Sequence, residues 1–158
     1  MMVRWNKVLL LAFLLSALLL AAGCGKKAAA PADMEALWTQ MQDRAELPPM
    51  RPLSAKRMMD RYGIDAQAHP QVVVMVSEES LRVDEIWLIE AADEEQAKTL
   101  CTAAENRIGQ LRTETENYLP DQFAVLGSAQ VLRHGNQMAL IISPEAETLA
   151  EIFEKAVG

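Results

Sequence analysis

Three groups of adjacent carboxylates have the residue types that acid-base catalysis or calcium binding would use. They are Glu78-Glu79, Asp84-Glu85 and Asp93-Glu94-Glu95. Neighbouring side chains on a strand point to opposite faces, which argues against Asp84 and Glu85 acting as one acid-base pair. The third group is typical of a helix start and the first of a solvated turn. Asp84 and Glu85 remain candidates because acidic residues rarely lead into a hydrophobic strand.

The sequence lacks the residue spacing that a metal site, a catalytic nucleophile or a nucleotide-binding loop requires. His69 and His134 have no partner at i, i+4 spacing and no neighbouring Cys, so neither is predicted to bind zinc. Cys101 lies on an apolar helix stripe, where a thiol packs as a small hydrophobe. The chain has no G-x-S-x-G elbow and no glycine-rich phosphate loop. We therefore predict no catalytic residue, no metal and no cofactor.

The N-terminal segment predicts export and lipid attachment. A short basic stretch precedes an apolar run, residues 8–20, which is shorter than the roughly 20 residues of a membrane span. Ala21-Ala22-Gly23-Cys24 follows and resembles a bacterial lipobox, although Ala21 stands where Leu is commoner. We predict that residues 1–23 are a signal peptide and that lipid on Cys24 holds the protein on the outer face of the cytoplasmic membrane. The alternatives are an ordinary signal peptide and an uncleaved anchor.

The composition is that of an acidic folded protein. The chain has 158 residues, 22 Asp plus Glu against 15 Lys plus Arg, and a formal net charge of −7, which makes nucleic acid an unsuitable partner. With 51% hydrophobic residues it is not a disordered chain. Residues 24–32, the lipidated Cys and a small-residue segment, read as a flexible tether, and residues 33–158 as one extracytoplasmic domain.

Two helices are predicted at the start of this domain. Asp33 can cap a helix from Met34 to Glu46, where apolar residues recur at i, i+3, i+4 and i+7 until a Leu-Pro-Pro segment stops it. Ser54 can cap a second, short helix that ends at Gly63, a residue suited to the left-handed position.

Four strands and two further helices complete the predicted domain. The strands are expected at Val72–Val76, Val83–Ala91, Phe123–His134 and Gln137–Ser143, with helices starting near Asp93 and Ser143. The two-residue turn Gly135-Asn136 pairs Val131 with Leu140, and only one face of this hairpin looks core-like. The order predicts an α+β fold: two N-terminal helices, then a small antiparallel sheet of about four strands from two ββα units, with helices packed on it.

The chain resembles an uncharacterised family of lipoproteins from Gram-positive bacteria, defined as domain of unknown function 4358. The resemblance covers roughly Leu37 to Val157. The residues that carry it are Tyr62-Gly63-Ile64-Asp65, Val83-Asp84-Glu85-Ile86, Tyr118-Leu119-Pro120-Asp121-Gln122-Phe123 and Gly135-Asn136. The resemblance implies the α+β architecture and lipid anchoring. It transfers no activity, ligand or catalytic residue.

These observations predict a candidate binding surface formed by Tyr62, Asp84, Glu85, Tyr118 and Pro120. The leading hypothesis is a non-enzymatic, lipid-anchored module that binds another protein of the envelope. The alternative is a lipoprotein that binds a small solute or a wall fragment in a groove. A third hypothesis is a hydrolase that uses the strand carboxylates. It requires that their amide variants fold normally and lose an activity.

Overall fold

The computed structural model describes residues 30–158, in which a five-stranded antiparallel sheet is the central layer. In chain order the elements are α1 (Met34–Arg44), β1 (Met50–Pro52), α2 (Ala55–Tyr62), a 3₁₀ turn (Ala66–Ala68), β2 (Gln71–Ser77), β3 (Glu85–Glu90), α3 (Glu94–Thr115), α4 (Pro120–Val125), β4 (Gln130–His134), β5 (Gln137–Ile142) and α5 (Ala146–Val157). The strands lie in the order β1-β2-β3-β5-β4. This confirms the α+β class and the antiparallel sheet.

Strands β3 and β5 form the centre of the sheet, and every residue in both is buried. Trp87 lies directly opposite Val74 of β2 on one side and Leu140 of β5 on the other. The uninterrupted apolar runs of these two strands fit this position, because a strand covered on both faces needs no polar alternation.

Helices cover both faces of the sheet and give it two separate cores. On one face α2 and α3 pack on Val74, Trp87, Leu140 and their neighbours. On the other face α1 and α5 pack on Ile86, Ile141 and theirs. The expectation that only one face of the last hairpin is core-like was wrong, since Gln137 on the other face is also buried. The hairpin count could not foresee that α1 and α5 lie over that face.

The sheet has five strands instead of the predicted four. The additional strand, β1, lies between the two N-terminal helices and pairs at the sheet edge, with Met50 opposite Ser77 and Pro52 opposite Met75. A segment of three residues is too short to show the alternation of apolar and polar residues that predicts a strand. Proline has no N–H to donate, so within a sheet it is tolerated at an edge, where no neighbouring strand needs that hydrogen bond.

The last hairpin has the predicted register but a later start. Val131 lies opposite Leu140, which confirms the count outward from the Gly-Asn turn. The strand expected from Phe123 begins instead at Gln130, because Pro120–Val125 forms helix α4 with proline in its first turn. The segment that joins the long helix to the hairpin is therefore a short helix.

The helix caps predicted at Asp33, Ser54 and Asp93 are confirmed, but Ser143 does not cap α5, because Glu145 occupies the N-cap position and makes no side-chain cap hydrogen bond. Asp33 accepts hydrogen bonds from two backbone N–H groups at the start of α1, and Ser54 accepts one from Arg57 at 3.4 Å. Asp93 accepts one from Gln96 N at 2.7 Å at the start of α3. Gly63 ends α2 with φ at 69°, the left-handed conformation that a residue without Cβ adopts at no steric cost.

The chain enters the sheet through a set of side-chain hydrogen bonds at Ala32, here called the Ala32 clamp. Gln71 Nε2 and Gln137 Nε2 both donate to the carbonyl oxygen of Ala32, at 3.1 and 3.0 Å. Gln71 Nε2 also donates to Oε2 of the buried Glu90 at 2.6 Å. Gln71 opens β2, Glu90 closes β3 and Gln137 opens β5. Ala32 is therefore fixed at one end of the sheet.

Residues Pro31–Gly158 form one compact unit. The predicted signal peptide, Cys24 and the tether up to residue 29 lie outside the described residues. Among residues 30–158, no helix combines the length and the apolarity that crossing a membrane requires.

Candidate functional site

The candidate carboxylates lie where β3 begins, at the end of the sheet opposite the Ala32 clamp. Glu85 is the first residue of β3 and Glu90, a member of the clamp, is the last. At roughly 3.3 Å per residue, the two ends of this strand are about 17 Å apart. The site around Glu85 is therefore remote from the point where the chain enters the sheet.

Asp84 is buried and paired with an arginine of the preceding turn. Arg82 Nε donates to Asp84 Oδ2 at 2.8 Å and Arg82 Nη2 donates to Oδ1 at 3.3 Å, so both carboxylate oxygens are occupied. The hydrogen bond to Asp84 raises the pKa of Arg82 above its ordinary value. The Asp84 side chain has no exposed surface, and this fork supplies the charge partner that a buried carboxylate needs.

Glu85 is also buried, and its partners differ from those of Asp84. Trp87 Nε1 donates to Glu85 Oε1 at 2.7 Å, and Arg107 of α3 donates to Oε2 at 3.0 Å. Asp84 and Glu85 thus pair with two different arginines. Neither carboxylate has an oxygen without a hydrogen bond, which favours a structural role for both.

Tyr62 completes what we call the Glu85 cluster, defined as Tyr62, Glu85, Trp87 and Arg107. The rings of Tyr62 and Trp87 are 4.7 Å apart between centroids, and Arg107 Cζ lies 5.4 Å from the Tyr62 centroid, within cation–π range. Tyr62 Oη is buried without a hydrogen-bond partner among the described residues. Burial, and next the negative charge of Glu85, raise the pKa of Tyr62 well above its ordinary value.

A cleft of about 350 Å³ opens beside this cluster, between the β2–β3 turn and helices α2 and α3. We call it the arginine cleft because four arginines from four different parts of the chain line it. They are Arg51 of β1, Arg61 of α2, Arg82 of the β2–β3 turn and Arg107 of α3. Its four lining carboxylates are Glu79, Asp84, Glu85 and Glu114. The cleft is therefore strongly polar, with as many positive as negative side chains.

The structure brings together three of the five predicted surface residues. Asp84 and Glu85 line the arginine cleft and Tyr62 contacts Arg107 behind it. Tyr118 and Pro120 are exposed and do not line the cleft, whereas Leu119 between them does.

Helix α4 is fastened to the β2–β3 turn, which places the Tyr118–Pro120 segment beside the cleft. Gln122 Oε1 accepts a hydrogen bond from Val83 N at 3.0 Å. The segment that follows Tyr-Leu-Pro thus joins two parts of the chain that are distant in sequence. Its proline starts the helix that carries Gln122.

The profile of a family described as a domain of unknown function, DUF4358, matches residues 43–143. The chain belongs to the DUF4358 family. The matched range includes every residue that lines the arginine cleft and all five strands, and it ends before α5. The chain matches none of the curated proteins and none of the solved structures compared with it.

Sequence reasoning missed the arginines of this DUF4358 domain. Arg51, Arg61 and Arg107 stand in unrelated sequence contexts and carry no motif. One signal was available, because two acidic residues leading into an apolar strand are buried only when cations pair with them. This argument predicts that two basic residues pair with the two acidic residues, but it does not identify those basic residues.

The remaining reactive side chains of the DUF4358 domain show no site of their own. Cys101 is half-buried against the α3 core, and burial raises the pKa of its thiol, which lowers its reactivity. His69 is half-buried and His134 is exposed at the end of β4. Within residues 30–158, no group of three or more His, Cys, Asp or Glu side chains is arranged to hold a metal ion.

Replacing Tyr62 by phenylalanine is expected to leave the free energy of unfolding at pH 7 unchanged or to raise it by up to about 1 kcal/mol. The substitution keeps the ring against Trp87 and Arg107 and removes a buried hydroxyl that has no partner. Tyr62→Ala, which deletes the ring, should lower stability by about 3 kcal/mol. Urea unfolding of the three proteins measures both effects, and a large loss in Tyr62→Phe would contradict the description of the hydroxyl.

The same variant tests the pKa of Tyr62. Because burial raises the pKa of Tyr62 in the folded state, the fold keeps its full stability below about pH 10, the ordinary tyrosine pKa. Above that pH the unfolded chain loses the tyrosine proton more readily than the folded protein, so the free energy of unfolding falls as the pH rises further. The native protein should therefore lose more stability than Tyr62→Phe between pH 9 and pH 11. Equal losses in the two proteins would show that Tyr62 titrates as it does in an unfolded chain.

Proposed function

We propose that this protein is a lipid-anchored, extracytoplasmic interaction module that binds another envelope protein through the mouth of the arginine cleft. The observation that carries the proposal is the combination of exposed apolar side chains with arginines at this one place. Leu81 lines the cleft and is 68% exposed, and Tyr118, next to the cleft residue Leu119, is 82% exposed. Leu81 lies in the β2–β3 turn and Tyr118 lies two residues before α4, and a hydrogen bond from Val83 N to Gln122 Oε1 joins this turn to α4.

This combination is the composition of a protein-binding surface. Tyrosine and arginine are the residues most enriched among those that dominate binding energy at protein interfaces. Large apolar side chains that remain in water beside a concave, polar surface are available for contact with a partner. The surface offers an apolar anchor point and charged groups that fix the orientation of a partner.

The position of the cleft supports the same proposal. Ala32 enters the sheet at the end opposite Asp84 and Glu85, so a partner reaches the cleft without displacing the incoming chain. A diacylglyceryl group on Cys24 would keep the module at the membrane, where the effective concentration of an envelope partner is high. The lipid would then hold the protein at the membrane, and the arginine cleft would bind the partner.

A small-solute function is the second candidate, and the volume of the cleft favours it. About 350 Å³ lies within the range of roughly 300–1,000 Å³ in which small ligands bind. The many ionised side chains of the lining would suit a charged solute or wall fragment. Hydrolysis by Asp84 and Glu85 has less support, because both carboxylates are already paired with arginines.

Photo-crosslinking in living cells tests the interaction proposal. A photoreactive amino acid at position 81 or 118 should capture one and the same envelope protein, whereas the same group at Lys155, an exposed residue of α5, should not. Leu81→Asp should abolish the capture from position 118. Capture of the same species from Lys155, or capture that survives Leu81→Asp, would contradict the proposal. Absence of protein capture from exposed, reactive groups would favour the small-solute candidate.

A further inference from the structure

Two arginines of the cleft have no carboxylate partner among residues 30–158. Arg82 and Arg107 are paired with Asp84 and Glu85, but Arg51 forms no ion pair with any described residue, although it is half-buried on β1. Arg61, at the end of α2, lines the same cleft and also lacks an ion pair in this part of the chain. The cleft thus has two guanidinium groups that are not used to hold the fold together.

We propose that Arg51 and Arg61 bind a single carboxylate of the partner, whose neighbouring apolar side chain packs against Leu81. This inference rests on the proposed function, since it names the chemistry of the group that enters the arginine cleft. A peptide meets it in two ways: through its C-terminal carboxylate, or through an internal Asp or Glu next to an apolar residue. The group recognised is the same in both cases.

The geometry of arginine is the first reason for an oxyanion. A guanidinium group presents a planar fork of N–H donors that matches a carboxylate with two parallel hydrogen bonds. A partly desolvated arginine gains more from such a pair than an exposed one, because the competing water is already reduced. Arg51, which is half-buried and lines the cleft, fulfils this condition.

The charge of the lining is the reason for a monovalent carboxylate instead of a phosphate. The four arginines of the cleft are matched by four carboxylates, two of which, Glu79 and Glu114, are exposed. A phosphate dianion would leave the filled cleft with two excess negative charges, on a chain whose formal net charge is already −7. A single carboxylate would leave the filled cleft with one excess negative charge.

The apolar part of the ligand follows from what borders the two arginines. Leu81 and Leu119 line the same cleft, and Leu81 is largely exposed. A ligand with a bare carboxylate would leave this leucine in water, whereas an adjoining Leu or Phe side chain would cover it. Burial of this apolar surface adds to affinity, against the entropic costs of association.

The test is a calorimetric titration of the full-length chain in detergent micelles with four probes. These are acetyl-phenylalanyl-leucine with a free carboxylate, its C-terminal amide, the amide of acetyl-leucyl-glutamyl-leucine, and inorganic phosphate. We expect the free acid or the glutamyl peptide to bind, the neutral amide not to bind, and phosphate to bind more weakly than the carboxylate. Comparison of the free acid with the glutamyl peptide shows which source of carboxylate is preferred.

Variants of the two arginines make the site assignment specific. Arg51→Gln and Arg61→Gln should each weaken binding of the carboxylate probe by about tenfold or more, as loss of a charged hydrogen-bond partner implies. Arg57→Gln is the matched control, because Arg57 lies on the same helix as Arg61 but not in the cleft. An unchanged melting temperature establishes that each variant is folded.

Three results would overturn the carboxylate inference: equal binding of the acid and its amide, stronger binding of phosphate, or unaltered affinity in both arginine variants. If one of these results is found together with capture of a protein by photoreactive groups at positions 81 and 118, the interaction proposal stands. The assignment of a carboxylate ligand to the two arginines is then wrong. If the carboxylate binds as expected and no protein is captured, the arginine assignment stands and the cleft belongs to a small solute.

Discussion

Arg107→Ala is expected to lower the free energy of unfolding by about 3–5 kcal/mol, the effect of leaving one member of a buried ion pair without its partner. Glu85 is only 3% exposed, and Arg107 supplies the positive charge that faces it. The substitution also removes the guanidinium group from the face of Tyr62. Since small domains are stable by only about 5–15 kcal/mol, this single change removes a large part of the total.

A second substitution separates the charge effect from the loss of packing. In the double variant Glu85→Gln with Arg107→Ala, position 85 no longer carries an unpaired buried charge, and the amide oxygen can still accept from Trp87 Nε1. It should therefore be more stable than Arg107→Ala alone by about 2 kcal/mol. Urea unfolding measures both proteins, with Arg57→Ala as the exposed control. If the double variant is no more stable than the single one, the pair does not act as described.

Cys24→Ser is expected to move the protein from the membrane fraction to the soluble fraction. Serine cannot form the thioether to diacylglycerol, and without acyl chains an acidic domain has no affinity for anionic headgroups. The mass of the native protein should correspond to a chain that begins at Cys24 and carries the lipid. Fractionation and intact-mass measurement check the two statements independently.

Cys101→Ser is the control for the lipidation experiment. Cys101 lies on α3 and packs against the core, so its replacement leaves the lipobox unchanged, and the variant should stay in the membrane fraction. If Cys24→Ser also stays there, an uncleaved N-terminal anchor explains the attachment better than a lipid. A native mass without a diacylglyceryl adduct would likewise contradict the lipoprotein prediction.

The sequence was most informative where structure depends on neighbouring residues. The caps at Asp33, Ser54 and Asp93 could be predicted because a cap is formed by side chains a few positions from the backbone groups that they satisfy. The register of Val131 with Leu140 could be predicted because a two-residue turn fixes it by counting.

It was least informative where distant segments meet. Strand β1 forms because Arg51 and its neighbours pair with the edge of β2. The sequence of these three residues, which ends in proline, does not predict that pairing. The burial of Ala139 and Ile141 depends on α1 and α5, which come from opposite ends of the domain sequence. Local patterns carry no information about either event.

For the same reason, only part of the candidate site could be predicted from the sequence. Tyr62, Asp84 and Glu85 could be singled out from their own sequence contexts, and the structure places them around one cleft. The arginines that give this cleft its chemistry come from four separate parts of the chain, so only the assembled sheet and helices show that they converge.

The strand order also determines how this domain can fold. Each hairpin, β2–β3 and β4–β5, closes over a short loop, but the sheet becomes continuous only when β5 pairs with β3 across the intervening helices α3 and α4. Contacts between residues far apart in sequence form slowly, because loop-closure entropy is lost before they give any stabilisation. Docking of the two hairpins is then the slow step. Until it is complete, the apolar edges of β3 and β5 are open to pairing with other chains, so newly synthesised molecules of this protein need either rapid docking or a chaperone.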